Sequence, residues 1–120
     1  MAGTVFFVGA NEAYCANLAQ DYAATGWTTQ VAGVDDADAV ERILEDAPIA
    51  AVFCLDPDHV SVVCALIEQL TTDPRYQRPL LVFLDGSPDE VACIKQHSPF
   101  AVFVTASELT WVLKRLVANV

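Results

Sequence analysis

The sequence predicts an α/β protein: a five-stranded parallel sheet with helices on both faces, a three-layer α/β/α sandwich. Three observations carry this. Five short apolar or β-branched runs punctuate the chain, near Thr4–Val8, Trp27–Val31, Ile49–Leu55, Leu80–Leu84 and Phe100–Val104. After each run, apolar residues recur at helical spacing. The runs Ile49–Leu55 and Leu80–Leu84 are apolar at every position, which suits strands covered on both faces. Alternating strands and helices mean parallel pairing through helical crossovers, which are right-handed.

The elements follow in order. Thr4–Val8 is β-branched and aromatic, a good buried strand, and Gly9 ends it. Asn11 caps a helix starting near Glu12, with Tyr14, Leu18 and Tyr22 as its apolar face, and Gly26 stops it in a left-handed conformation. Trp27–Val31, rich in threonine, reads as a weaker strand nearer an edge. Asp35, Asp36 and Asp38 favour a helix start, and Asp35 or Asp36 caps it. Val40, Ile43, Leu44 and Ala47 form that helix's stripe, which Pro48 ends. The third helix runs from Val60 to Leu70, with Val63, Leu66, Ile67 and Leu70 inward, until Asp73-Pro74 breaks it. Arg75–Arg78 is a polar connector to the fourth strand. Ser87, Pro88 and Glu90 open a short fourth helix with Val91, Ile94 and Cys93 turned inward. Ser107 caps the last helix, with Leu109, Val112, Leu113, Leu116 and Val117 on its buried stripe. Trp111 falls off that stripe, at the flank or outside it, where it suits an interface anchor. Lys114 and Arg115 sit near the negative end of that helix.

The whole chain, residues 1–120, reads as one domain without repeats or linkers. Apolar residues make up 54% against 18% charged, enough for a packed core. No apolar run approaches the ~18 residues of a membrane span. Met1–Thr4 carries no basic segment, so the expectation is a cytoplasmic domain with no membrane partner. The net charge of −10 repels a phosphate backbone and excludes nucleic acid as a direct partner. Cys15, Cys54, Cys64 and Cys93 lack Cys-x-x-Cys spacing and sit among apolar neighbours. They are expected to be buried free thiols rather than disulfides or zinc ligands. Gly9-Ala10-Asn11-Glu12 holds one glycine and is far from a nucleotide-binding Gly-x-Gly-x-x-Gly turn. His59 and His97 have no nucleophile nearby in sequence and read as loop or helix-surface residues.

The central strand runs straight into Asp56-Pro57-Asp58-His59. Pro57 cannot donate to a ladder, so the strand should stop at about Asp56. Carboxyl ends of central strands are where open α/β sheets gather ligands. Asp56, Asp58 and Asp85, with His59, therefore form either a solvated acidic rim or a divalent-cation site taking Mg²⁺.

Several stretches resemble the receiver domain of bacterial response regulators. They are Leu18-x-x-x-Tyr22-x-x-x-Gly26-Trp27 with Val31-Ala32, Val52-Phe53-Cys54-Leu55-Asp56, Leu70-x-x-Asp73-Pro74-Arg75 before Pro79–Leu84, and Phe103-Val104-Thr105. The resemblance implies a flavodoxin-like strand order of 2-1-3-4-5. It places Asp56 as the phosphoacceptor equivalent and Phe103 at the family's switch aromatic. It also implies a pocket stripped of its chemistry. Gly9 and Ala10 stand where the family has two metal-binding acids, Asp85 where it has a hydroxyl, and Ala106 where it has a lysine. Phosphoryl transfer rests on positioning and neutralisation by metal and cations. A phosphoryl group on Asp56 would instead meet Asp85, and like charges ~4 Å apart repel by about 4 kcal/mol at an effective dielectric near 20.

The expectation is thus a degenerate, pseudo-receiver signalling domain of the two-component type. It would bind a signalling protein or a fused output domain through its fourth helix, fifth strand and fifth helix, with Phe103 and Trp111 as contacts. It would have no catalytic residue and no cofactor. Three alternatives stand beside it: a phosphorelay receiver that still uses Asp56, a flavodoxin-like small-ligand binder or enzyme, and a homodimer module.

Overall fold

The computed structural model describes residues 3–34, 36, 38–55, 57–77, 79–84, 86, 88–98 and 101–118. Strands and helices alternate as β1 (Thr4–Gly9), α1 (Glu12–Ala23), β2 (Thr28–Gly33), α2 (Ala39–Asp46), β3 (Ala50–Cys54), α3 (Val60–Thr72), β4 (Leu80–Leu84), α4 (Pro88–His97), β5 (Val102–Val104) and α5 (Ala106–Ala118). Every pairing is parallel, and the order across the sheet is β2-β1-β3-β4-β5. The expected sandwich and its strand order are both present, with the threonine-rich β2 at an edge.

The pleat divides the core in two. Phe6, Val8, Ala51, Phe53, Leu81 and Phe83 point to one face and pack with Ile43 and Leu44 of α2, the α3 stripe and Ile94 of α4. Val5, Phe7, Ala50, Val52, Val82 and Leu84 point to the other, against Cys15, Ala19 and Tyr22 of α1 and Leu109, Val112 and Leu113 of α5. Ala50 to Phe53 are fully buried, as a strand covered on both sides requires. Each buried phenylalanine contributes about 1.5–3 kcal/mol by leaving water. Among the described residues, no helix is long and apolar enough to cross a membrane.

Local details depart from the sequence expectations. The buried seam of α1 is Cys15, Ala19 and Tyr22, with Leu18 partly buried and Tyr14 36% exposed. Steps of four overshoot a helical turn by about 40° each, so Tyr14 and Tyr22 cannot share one narrow face. Tyr22 fixes the face by stacking on Phe7 at 5.9 Å and hydrogen bonding to the Thr110 hydroxyl at 2.8 Å. Gly26 does take a positive φ, +102°, in the turn after α1. Trp27 precedes β2 rather than opening it, and is buried below α1.

The cap of α2 is Asp38, which makes no side-chain capping bond; instead Asp36 accepts the Asp38 amide at 2.9 Å. Asp35 lies outside the described residues. Ala47 is exposed at φ +44°, because Pro48 bars it from continuing the right-handed helix. β3 ends at Cys54, earlier than expected. Ser107 lies inside α5, and Thr105 caps it: Glu108 reaches back to accept from the Thr105 amide at 3.0 Å and its hydroxyl at 3.1 Å. Ser87 and Phe100, assigned to a cap and a strand, lie outside the described residues, as do the side chains of Leu116, Val117 and His97.

Candidate functional site

Parallel pairing brings the carboxyl ends of β1, β3, β4 and β5 side by side. Gly9 sits opposite Cys54, Cys54 opposite Leu84, and Leu84 opposite Val104. The loops that leave these ends form the rim where the sequence locates its candidate residues. Asp56 and Asp85 lie outside the described residues.

Gly9 is tightly enclosed at the end of β1. A Cβ there would stand 2.6 Å from the Cys15 sulfur and 3.1 Å from the Cys54 Cβ. Only a residue without a side chain fits between these two cysteines, whose sulfurs are 3.6 Å apart. Ala10 follows, partly buried against the α2–α3 face of the core. On the opposite loop, the Leu55 methyl occupies the space beside Gly86, 2.7 Å from where a Cβ would be. Asp58 is exposed, in a single 3-10 turn over Pro57–His59 that leads into α3, and His59 is half-buried there. Ala106 is the first residue of α5.

Of these residues, Gly9, Ala10 and Ala106 carry no oxygen donor or charge in their side chains. Neither Gly9 at the end of β1 nor Ala10 after it carries a carboxylate, and a side chain at Gly9 would have to shift the Cys15 sulfur. Among the described residues no group of three His, Cys, Asp or Glu side chains is placed to hold a metal ion. Four of the six lysines and arginines are engaged by other groups. Arg42 meets Asp36 at 3.8 Å and lies over Phe6, and Arg75 binds Glu41 and Asp73. Lys95 lies over Phe103 at 5.6 Å, and Arg115 over Trp111 at 4.8 Å.

The two interface candidates have different settings. Phe103 is half-buried and ends a row of stacked rings: Phe53 on Phe83 at 5.0 Å, Phe83 on Phe103 at 5.3 Å. The row follows the strand register, with Phe53 opposite Phe83 and Phe83 opposite Phe103. Trp111 stands out on α5 at 61% exposure.

The sequence reading missed the pairing of the cysteines. All four are free thiols, as expected, but Cys54 and Cys93 are half-buried rather than buried. Cys15 meets Cys54, and Cys64 of α3 meets Cys93 of α4 with sulfurs 2.9 Å apart. Separations of 39 and 29 residues conceal such contacts from any local motif.

Strand order and helix placement together define a receiver-type α/β fold. Solved structures agree. The chain superimposes on the chemotaxis protein CheY4 of Vibrio cholerae with a TM-score of 0.77 at 11% identity, covering 97% of this chain and 99% of that one. The signal receiver domain of a signal transduction histidine kinase from Syntrophus aciditrophicus matches with a TM-score of 0.74 at 21% identity, over 99% and 92% of the two chains. The pseudo-receiver domain of the CikA protein matches with a TM-score of 0.66 at 17% identity, over 97% and 98%. No protein-family profile and no curated protein matches the sequence.

Proposed function

We propose that this chain is a pseudo-receiver: a signalling domain that acts by binding another protein and does not transfer phosphate. The observation that carries the reading is the closure around Gly9, where the receiver resemblance calls for a metal-binding acid. A carboxylate there would have to displace the Cys15 sulfur and crowd Cys54. Ala10 and Ala106 supply neither the second acid nor the lysine that the same resemblance calls for. Asp56 would lack the counter-charges that phosphoryl transfer depends on.

The proposed contact surface is α4, β5 and α5. Its support is Trp111, a large ring exposed on α5, of the residue type that most often anchors interfaces. The partner is a signalling protein or an output segment fused to the domain. The fusion option draws on the histidine kinase that carries a receiver domain of this fold.

Incubation with acetyl phosphate and magnesium, followed by intact-mass measurement, tests the first half of the reading. The expected mass is unchanged. A stoichiometric phosphoryl gain that Asp56→Asn abolishes would overturn it and restore the phosphoacceptor alternative. Pull-down with wild-type, Asp56→Asn and Trp111→Ala proteins tests the second half. Capture should survive the first substitution and fail with the second.

A further inference from the structure

We propose that Cys64 and Cys93 form a reversible disulfide, made by a peroxide or a low-molecular-weight disulfide, that ties α3 to α4. The two sulfurs are 2.9 Å apart, already inside ordinary sulfur contact distance, and each belongs to a different helix. Closing the bond needs a further approach of about 1 Å. Cys64 lies on α3, and Cys93 lies on α4, one element of the proposed contact surface.

The two thiols have unequal surroundings. Cys64 is 8% exposed, whereas Cys93 is half-buried on α4 and open to a small oxidant. Burial, reinforced by the neighbouring Cys93, pushes the Cys64 thiol up to about 12, which disfavours Cys64 as the first sulfur to react. Cys93 is then the sulfur that reacts first. With hydrogen peroxide, the Cys93 sulfur bonds one peroxide oxygen, the O–O bond breaks, and one water leaves. The Cys64 sulfur next attacks the Cys93 sulfenic acid and the S–O bond breaks. The Cys64 proton leaves with the hydroxide as a second water. Two thiols lose two electrons to one peroxide, giving one disulfide and two waters. With oxidised glutathione, the Cys93 sulfur bonds one glutathione sulfur as the glutathione S–S bond breaks and one glutathione thiol leaves. The Cys64 sulfur then displaces the second glutathione as a thiol, and a small dithiol reverses the reaction by exchange.

The Cys15–Cys54 pair is a poorer candidate. Its sulfurs are 3.6 Å apart, and Cys15 is fully buried under Gly9.

The test uses the intact chain, reduced with dithiothreitol, freed of reductant and exposed to hydrogen peroxide or oxidised glutathione. Intact mass should fall by about 2 Da, and peptide mapping should find Cys64 joined to Cys93. Dithiothreitol should restore the mass. The melting temperature of the oxidised form should rise by about 5–10 °C, as a cross-link over a loop of this length restricts the unfolded chain. The loss should persist in a Cys15→Ser/Cys54→Ser variant and vanish in Cys93→Ser. An unchanged mass, a stable oxygen or glutathione adduct without cross-link, or a loss that survives Cys93→Ser overturns the proposal. Any effect of the tie on binding through α4 rests on the pseudo-receiver reading, but the bond is read by mass alone and fails separately.

Discussion

The Cys15 sulfur lies 2.6 Å from the point where a Cβ on Gly9 would stand, so a thiol of α1 fills the space beside the end of β1. Phe7 and Tyr22 hold α1 against the same face of the sheet. A side chain at position 9 must therefore move a fully buried group or push the helix outward.

Gly9→Ala is expected to destabilise the fold by about 1–3 kcal/mol through overpacking. Cys15→Ala in the same chain removes the nearer obstacle and should recover part of that loss. Urea unfolding of the two single variants and the double variant measures the coupling. Additive losses would show that the two positions do not share the space.

Phe103 is expected to behave as a core residue of the ring row before it behaves as a switch. Phe103→Ala should cost about 2–3 kcal/mol, because it deletes the stack on Phe83 along with partly buried surface. Lys95→Ala should cost about 0.5 kcal/mol, since the cation over the ring is near solvent. Chemical denaturation of each variant checks both figures.

Trp111 and Trp27 should separate cleanly by fluorescence. Trp27→Phe leaves Trp111, which is 61% exposed, and its emission should be red-shifted and readily quenched by acrylamide. Trp111→Phe leaves the buried Trp27, with blue-shifted and protected emission. Trp111→Ala should change stability by less than about 1 kcal/mol. Binding of a partner through α5 would shield the Trp111 signal alone.

Arg75 clamps the connector before β4 to α2. Its two terminal nitrogens bind the Glu41 carboxylate at 2.6 and 2.9 Å, and it also bonds Asp73. Hydrogen bonds from Arg75 hold both the Glu41 and the Asp73 carboxyls below their usual range. A depressed folded-state pKa gives stability that is complete above the unfolded carboxylate range and lost as pH falls through the folded value. Arg75→Ala should therefore lower the melting temperature slightly at neutral pH and not at all in strong acid. The neutral-pH difference should shrink with added salt, because the network is exposed. Melting curves of both proteins across that pH range check the sign.

The sheet was legible in the sequence because four of its strands stand out as apolar runs and its helices end at Gly26, Pro48 and Pro74. What lay hidden depended on register and rotation. Phe53, Phe83 and Phe103 each read as one more apolar residue, and only strand pairing shows that they form a row. Tyr14 was misplaced because a four-residue step drifts around a helix, which left Cys15 unnoticed as the seam residue. The Thr105-x-x-Glu108 signature was present in the sequence, but Ser107 competes with it two residues further on. At the rim, Gly9 and Ala10 could be read as missing acids. That a side chain at Gly9 would meet the Cys15 sulfur emerges only when α1 is laid over it.

β5 spans just Val102–Val104 and is the outermost strand on its side of the sheet. Three residues offer a visiting polypeptide too few unpaired amides and carbonyls to zip onto as a sixth strand. A partner at the proposed surface would then read side-chain chemistry on the flanking helices. Extended peptides that complete sheets by backbone pairing should find no purchase here, whereas a helix carrying its own apolar ridge could lie across Trp111.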